Sequence, residues 1–229
     1  MKLAIFDIDG TLTETNEVDD KCFVEAFAAS HGLIEIETDW TKYKHVTDSG
    51  IVSEVIETKL NRTANKNDFI AFKKKFIEKL TNAAEKDKSA FAEIRNTAQM
   101  LKKLQGEKRW AIALATGSFY DSAILKLKTA KIDFIEFPIA TADDAVSREE
   151  ILQIAIKKSL AHYGQKNFEK IISVGDGVWD LRTAKNLNLD FIGIAKGEKA
   201  EHLQNEGAAF IIENFEDYEG FWNYIIETT

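Results

Sequence analysis

From residue 110 onward, short apolar runs alternate with stretches whose apolar residues return every third or fourth position. The runs are Trp110 to Ala115, Phe134 to Ile139, Ile171 to Val174, Phe191 to Ile194 and Ala209 to Ile211, and the helix-like stretches lie near 119–130, 147–163, 178–187, 199–205 and 215–227. That alternation predicts βαβ units and a parallel sheet. A further run, Leu3-Ala4-Ile5-Phe6, opens the chain and predicts its first strand. Between this strand and residue 110 the spacing is helical instead. Val18, Cys22, Phe23, Ala26 and Phe27 mark one helix over 18–30. Amphipathic stretches fill 48–105 through Ile51, Val52, Val55, Ile56 and Leu60, then Phe69 to Leu80, then Ile94, Met100, Leu101 and Leu104. The chain therefore reads as an α/β domain with a helical insert after its first strand.

Composition narrows the classes of partner. The 229 residues hold 45% apolar side chains, which suits one globular domain carrying an insert. A net charge of −8, with lysines and glutamates interspersed, argues against nucleic acid or an anionic membrane as partner. Cys22 is the only cysteine, so no internal disulfide or cysteine metal cluster can form. No apolar stretch is long enough to predict a signal peptide or a membrane span, and a cytoplasmic location is expected.

Candidate chemistry lies where the predicted strands end. Asp7 and Asp9 follow the first run directly, and a period of two turns both side chains to one face. Gly10 and Thr11 let the chain turn sharply there, at the sheet edge where open α/β folds bind ligands. Two carboxylates this close cost several kcal/mol to bury unless a cation joins them, and Mg²⁺, which prefers oxygen, is the expected one. The second run ends in Thr116-Gly117-Ser118, whose hydroxyl and turn amides can cradle an anion. A third ends in Gly175-Asp176-Gly177-Val178-Trp179-Asp180, which adds two carboxylates to the same edge. Ser147 followed by Glu150 predicts a capping box, and Arg148 then stands at a helix entrance where it can face an anion.

Taken together, Asp7-Ile8-Asp9-Gly10-Thr11, Thr116, and Gly175-Asp176 with Asp180 resemble the motifs of the haloacid dehalogenase superfamily, in its phosphatase and phosphomutase branch. The resemblance implies a Rossmann-like three-layer parallel-sheet core over 1–14 and 96–229, with residues 15–95 as an inserted α-helical cap. It also implies that Asp7 is the nucleophile and Asp9 the general acid and base. Mg²⁺ is expected on the Asp7 carboxylate, the Asp9 backbone carbonyl and Asp176, with Asp180 as an auxiliary acid behind them. Gly10, Thr116, Gly117 and Ser118 are expected around the phosphate. The third motif departs from the pattern, because no Lys-Pro pair occurs in the chain. Arg148 is the preferred substitute, with Lys157 and Lys158 as alternatives.

The expected activity is Mg²⁺-dependent hydrolysis of a small phosphorylated metabolite. A phosphomutase of the phosphoglucomutase type is one alternative. A non-catalytic phosphate-binding or regulatory protein on the same fold is another. Phosphonatase chemistry is disfavoured because Asp9 is present, and dehalogenation because the metal-binding acids are. Several residues have blander readings. Ser118 could simply cap a helix, Trp179 could be wall packing, and Lys73-Lys74-Lys75 reads as a solvated face. His31, His45, His162 and His202 have no companions that suggest metal ligation. Trp40 to Gly50 is either an ordinary loop or one that closes over the site and selects substrates.

Overall fold

The computed structural model describes residues 1–216 and 218–227. Six strands, β1 (Lys2–Phe6), β2 (Trp110–Ala115), β3 (Ile139–Ala140), β4 (Ile171–Gly175), β5 (Asp190–Ile194) and β6 (Ile211–Ile212), form one sheet in the order β3-β2-β1-β4-β5-β6. All neighbouring pairs are parallel. The chain runs outward from β1 to β2 and β3, then returns to place β4 on β1's other side. This reversal opens a crevice between the C-terminal ends of β1 and β4.

Alternation along β1 divides the core. Ala4 and Phe6 pack with Ile112, Leu114, Ile172 and Val174 beneath α4 (Thr97–Gln105), α5 (Tyr120–Thr129) and α9 (Tyr218–Glu227). Leu3 and Ile5 pack on the opposite face, with Ala111 and Ala113, against α6 (Arg148–His162). On that same face α7 (Val178–Asn186) covers β4 and β5, next to α8 (Gly197–Asn205). The helix-like stretch around Met100 to Leu104 thus covers the sheet rather than the insert. Ser147 caps α6 by accepting from the Glu150 N–H at 3.2 Å. The expected capping box does not close, because the Glu150 carboxylate takes the Ser147 hydroxyl instead of the Ser147 amide.

Two predicted strands differ. Over 134–137 the chain forms a turn, closed by the Phe137 N–H on the Phe134 carbonyl, that tucks both rings against the core and leaves Ile135 in solvent. Pro138 has no N–H for a ladder, and only Ile139–Ala140 pairs, at the sheet edge. The last strand begins at Ile211 rather than Ala209. The helix predicted over 215–227 is seen as Tyr218–Glu227, and residue 217 lies outside the described residues.

The inserted helices α1 (Asn16–His31), α2 (Asp48–Leu60) and α3 (Lys66–Lys86) build an apolar cluster of their own. Its centre is aromatic: Phe72 lies 4.7 Å from Phe23 and 4.6 Å from Phe27 between ring centroids. Phe119, just before α5, and Ala142 of the sheet domain join this cluster and tie it to the rest of the fold. Asp68 pins the corner between α1 and α3. Its carboxylate accepts the Asn65 amide, both arms of the Arg62 guanidinium at 2.7 Å and, at 3.3 Å, a His31 ring nitrogen.

These bonds, Arg62's first among them, hold the Asp68 carboxyl well below the usual carboxylate range. A depressed carboxyl adds stability that is complete above its unfolded pKa and is lost as pH falls through its folded one. Asp68→Ala is therefore expected to lower stability by about 1–2 kcal/mol at pH 7, the scale of a lost helix cap. The gap from wild type should narrow below about pH 4. Urea unfolding at both pH values tests this, and a gap independent of pH would refute it.

Candidate active site

The β1–β4 crevice gathers most of the predicted residues. Asp7 continues β1, donates its N–H to the Val174 carbonyl at 2.9 Å and is buried. Its Oδ1 has no hydrogen-bond partner, and the Arg148 Nη1 stands 3.8 Å away. Burial pushes the Asp7 carboxyl well up, the nearby Asp180 adds to this, and Arg148 opposes it. Asp176, at the end of β4, accepts the Asn16 amide at 2.9 Å and is paired with Lys199. Asp180, on the first turn of α7, accepts Arg148 Nη1 at 2.6 Å and the Gly177 N–H at 3.0 Å. Burial raises its pKa too.

Two glycines let these groups meet. Gly10 has φ +69°, and a Cβ there would lie 1.9 Å from the Asp176 Oδ2. A Cβ on Gly117 would lie 2.7 Å from Arg148 Nη2. The expected phosphate cradle at the end of β2 is compact, with the Thr116 hydroxyl accepting the Ser118 N–H at 3.1 Å. Ser118 does not cap α5. Its hydroxyl donates to Asp9 at 2.8 Å.

Of the three cations considered for the third motif, Arg148 reaches the crevice, where its Nε also donates to the Val46 carbonyl at 2.8 Å. Lys158 turns away to the Ile139 carbonyl and Asp144, and Lys157 is exposed. Trp179 lies beside Arg148, with the guanidinium carbon 5.6 Å from its ring centroid.

Asp9 stands in a network that pattern reading missed. It accepts the Thr15 hydroxyl at 2.5 Å, the Ser118 hydroxyl at 2.8 Å and the Lys126 ammonium at 2.8 Å. Lys126, on α5, has 0% exposure and is also paired with Asp19 of α1. Burial alone would raise the Asp9 carboxyl, but the Lys126 charge and these hydrogen bonds outweigh it and hold the pKa low. Asp19, buried with less compensation, is pushed up. The helical period contains the one signal for Lys126, since it falls on the face of Phe119, Ser122 and Ala123, where a solvated lysine does not belong.

From the insert, Asp19, Asp20, Phe23, Trp40, Asp48 and Ile51 complete the cleft wall. Asp48 donates its N–H to the Gly117 carbonyl at 2.7 Å and accepts the Phe119 N–H at 2.7 Å, which fastens the insert to the phosphate-cradle loop. Burial pushes its carboxyl up to about 7, and Lys126 opposes this. Within the Trp40 to Gly50 loop, Trp40, Val46, Thr47 and Asp48 face the cleft. Lys44 and His45 line an adjoining depression with Arg182, on the other side of Val46, Arg148 and Trp179. Thr47 caps α2 and donates to the Val146 carbonyl.

Asp7, Asp176 and Asp180 each offer an oxygen within 4.8 Å of the others. All are hard donors, and the buried Asp7 Oδ1 is without a partner. The residues present fit a small divalent cation such as Mg²⁺. The histidines are not among these groups.

A family model described as a haloacid dehalogenase-like hydrolase matches residues 1–188. No curated protein sequence matches the chain. Among solved structures, a hydrolase from Pseudomonas syringae is similar at TM-score 0.75 and 20% identity, covering 98% of this chain and 99% of its own. A HAD hydrolase, family IA, variant 3, from Entamoeba histolytica is similar at 0.68 and 18%, covering 95% of each chain. CbbY from Rhodobacter sphaeroides in complex with phosphate is similar at 0.65 and 18%, covering 94% of this chain and 95% of its own.

Removing the Lys126 ammonium would leave the largely buried Asp9 and Asp19, 16% and 14% exposed, without their cation. Lys126→Met, which keeps the length of the side chain, is expected to destabilise the fold by about 3–5 kcal/mol at pH 7. A loss under about 1 kcal/mol in urea unfolding would show that the pair is not held by this lysine.

Proposed function

Because the chain belongs to the haloacid dehalogenase-like hydrolases, we propose that this hydrolase is a Mg²⁺-dependent phosphatase for small phosphomonoesters. One observation carries the reading. A buried carboxylate with a free oxygen, Asp7, lies at the crevice floor between a guanidinium and an anion cradle. An anionic nucleophile can approach a phosphate dianion only where cations offset the repulsion, and Arg148 stands where it can do so. Asp7 and Asp176, with the Asp9 carbonyl, would hold Mg²⁺, which when bound neutralises charge on the phosphoryl oxygens.

In the first step an Asp7 oxygen bonds to phosphorus as the bond to the ester oxygen breaks, and Asp9 gives its proton to the departing alkoxide. Asp9 then takes a proton from water as that water attacks phosphorus, and the acyl phosphate bond to Asp7 breaks. The hydrogen bonds from Lys126, Thr15 and Ser118 set Asp9 as an ionised base. A phosphate dianion brought against it raises its proton affinity, so the same group can serve as the acid. Thr116, Ser118 and the Gly117 amide orient the phosphoryl group. Asp180 holds Arg148 in place.

We assign residues 15–95 the role of a cap that covers the site. The contacts of Val46, Thr47 and Asp48 with the sheet domain support a closed arrangement that excludes water. CbbY has been seen with xylulose-(1,5)bisphosphate, which makes phosphomonoesters a natural class to test here. The buried single Cys22 suits a reducing, cytoplasmic setting. Among the described residues no helix is long and apolar enough to cross a membrane.

Asp7→Asn is expected to remove phosphate release from small esters, by at least about a thousandfold, with the fold intact. Near-normal rates together with no trappable phosphoenzyme in wild type would overturn the assignment. Asp176→Ala should weaken Mg²⁺ binding in calorimetry, whereas Asp9→Asn should slow turnover and keep the metal. Arg148→Ala should cost at least about tenfold in rate and Lys157→Ala almost nothing. The reverse ranking would reassign the third-motif cation.

A further inference from the structure

The cleft has two unlike halves. Its floor, with Arg148 and the Thr116–Ser118 loop, is built for an anion. Its cap-side wall is built from Asp20, Phe23, Trp40, Asp48 and Ile51. Among the described residues that line the cleft, Arg148 is the one cation. Lys126 lies behind the wall, fully buried and taken up by Asp9, Asp19 and Ser118.

Two carboxylates on that wall have acceptor capacity left over. Asp48 is 7% exposed. The residue lines the cleft, its Oδ2 takes the Phe119 N–H, and its Oδ1 has no hydrogen bond or ion pair among the described residues. Asp20, at the mouth, accepts the Trp40 indole N–H at 2.9 Å through Oδ1 and leaves Oδ2 open. That bond also sets the carboxylate at the edge of the Trp40 ring, and Trp40 meets Phe23 edge to face at 5.7 Å. A carboxylate oxygen that no protein donor occupies is open to a ligand that brings N–H donors and positive charge. Aromatic faces beside the carboxylates favour the same charge. A second phosphate or a carboxylate on the leaving group would meet only like charge on this wall.

We propose that the leaving group is a short amino alcohol, whose protonated primary amine is bound by Asp48 and Asp20 between Trp40 and Phe23. The inference rests on the phosphatase reading for the phosphoryl half of the site and adds the class of the other half. It also separates this cleft from one made to turn over a bisphosphate, as a phosphomutase requires.

Four esters of similar size give the test: 2-aminoethyl phosphate, 2-hydroxyethyl phosphate, propyl phosphate and phosphoglycolate. Binding is measured by calorimetry on Asp7→Asn with Mg²⁺, so that no ester is consumed, and phosphate release is measured on the wild type. The aminoethyl ester is expected to bind at least tenfold tighter than the hydroxyethyl and propyl esters, with phosphoglycolate weakest. Adding Asp48→Asn should cut the preference for the amine at least fivefold. Asp20→Asn, at an exposed position that the fold tolerates, should reduce it in the same direction. Equal or tighter binding of the hydroxyethyl or propyl ester would overturn the proposal, as would a preference untouched in both variants. An amine preference in binding with no phosphate released from any ester would refute the phosphatase reading and leave the amine site standing. Turnover without amine preference would do the reverse.

Discussion

Charge compensation in the β1–β4 crevice is the constraint on which the rest of the structure depends. Asp7, Asp9, Asp19, Asp176 and Asp180 come together there at low exposure. A group of carboxylates this dense would unfold its surroundings or take up protons unless cations were held among them. The fold supplies one cation from each of three helices: Lys126 from α5, Arg148 from α6 and Lys199 from α8. Each helix follows a different strand of the parallel sheet, so the βαβ order that builds the sheet also delivers the counterions to its C-terminal edge. Asp7 is the member left least satisfied, and this follows from its place. It is buried, has Asp180 beside it, and receives only a distant contact from an arginine already bonded to Asp180.

The same cations couple the insert to the sheet domain. Lys126 joins Asp9, at the end of β1, to Asp19, on the first helix of the insert. Arg148 donates to a carbonyl of the insert loop while its other nitrogen holds Asp180. Asp48 bonds the backbone on both sides of Ser118, at Gly117 and Phe119, and Phe119 belongs to the aromatic cluster of the insert. Displacing the insert would therefore disturb Asp9, Arg148 and the Thr116–Ser118 loop together. The position of the insert and the orientation of these strand-end groups are linked through shared hydrogen bonds rather than through a flexible hinge alone.

What could be read from the sequence follows from how local each feature is. The strand-end carboxylates and Thr116 were legible because each directly follows its own apolar run, and a parallel sheet brings all such ends to one edge. Arg148 was legible one step less directly, through the Ser147 cap that fixes where its helix begins. Lys126, Asp19, Asn16, Lys199 and Asp48 were not. Their partners lie far along the chain, and on a helix a buried charge looks like a solvated one unless its angular position is compared with that of its apolar neighbours. The strand misread over 134–139 has a related cause. Phe137 is buried and Phe134 partly buried, but through a turn, and an apolar run by itself does not distinguish a turn from a strand.

Tolerance to change also differs between the two halves of the cleft. On the sheet side, Gly10 and Gly117 admit no Cβ without contact inside 3 Å, so the backbone itself closes the space around Asp176 and Arg148. A side chain at either position would displace the groups already there. On the insert side, Asp20 is exposed at the mouth, whereas Trp40 and Ile51 join the apolar cluster of Phe23, Phe27, Phe72 and Phe76. Asp20 can be exchanged without touching the strand ends of the sheet. Under the proposed phosphatase reading, the charge and shape of the insert wall would set which leaving group enters, while the sheet edge would hold constant what is done to it.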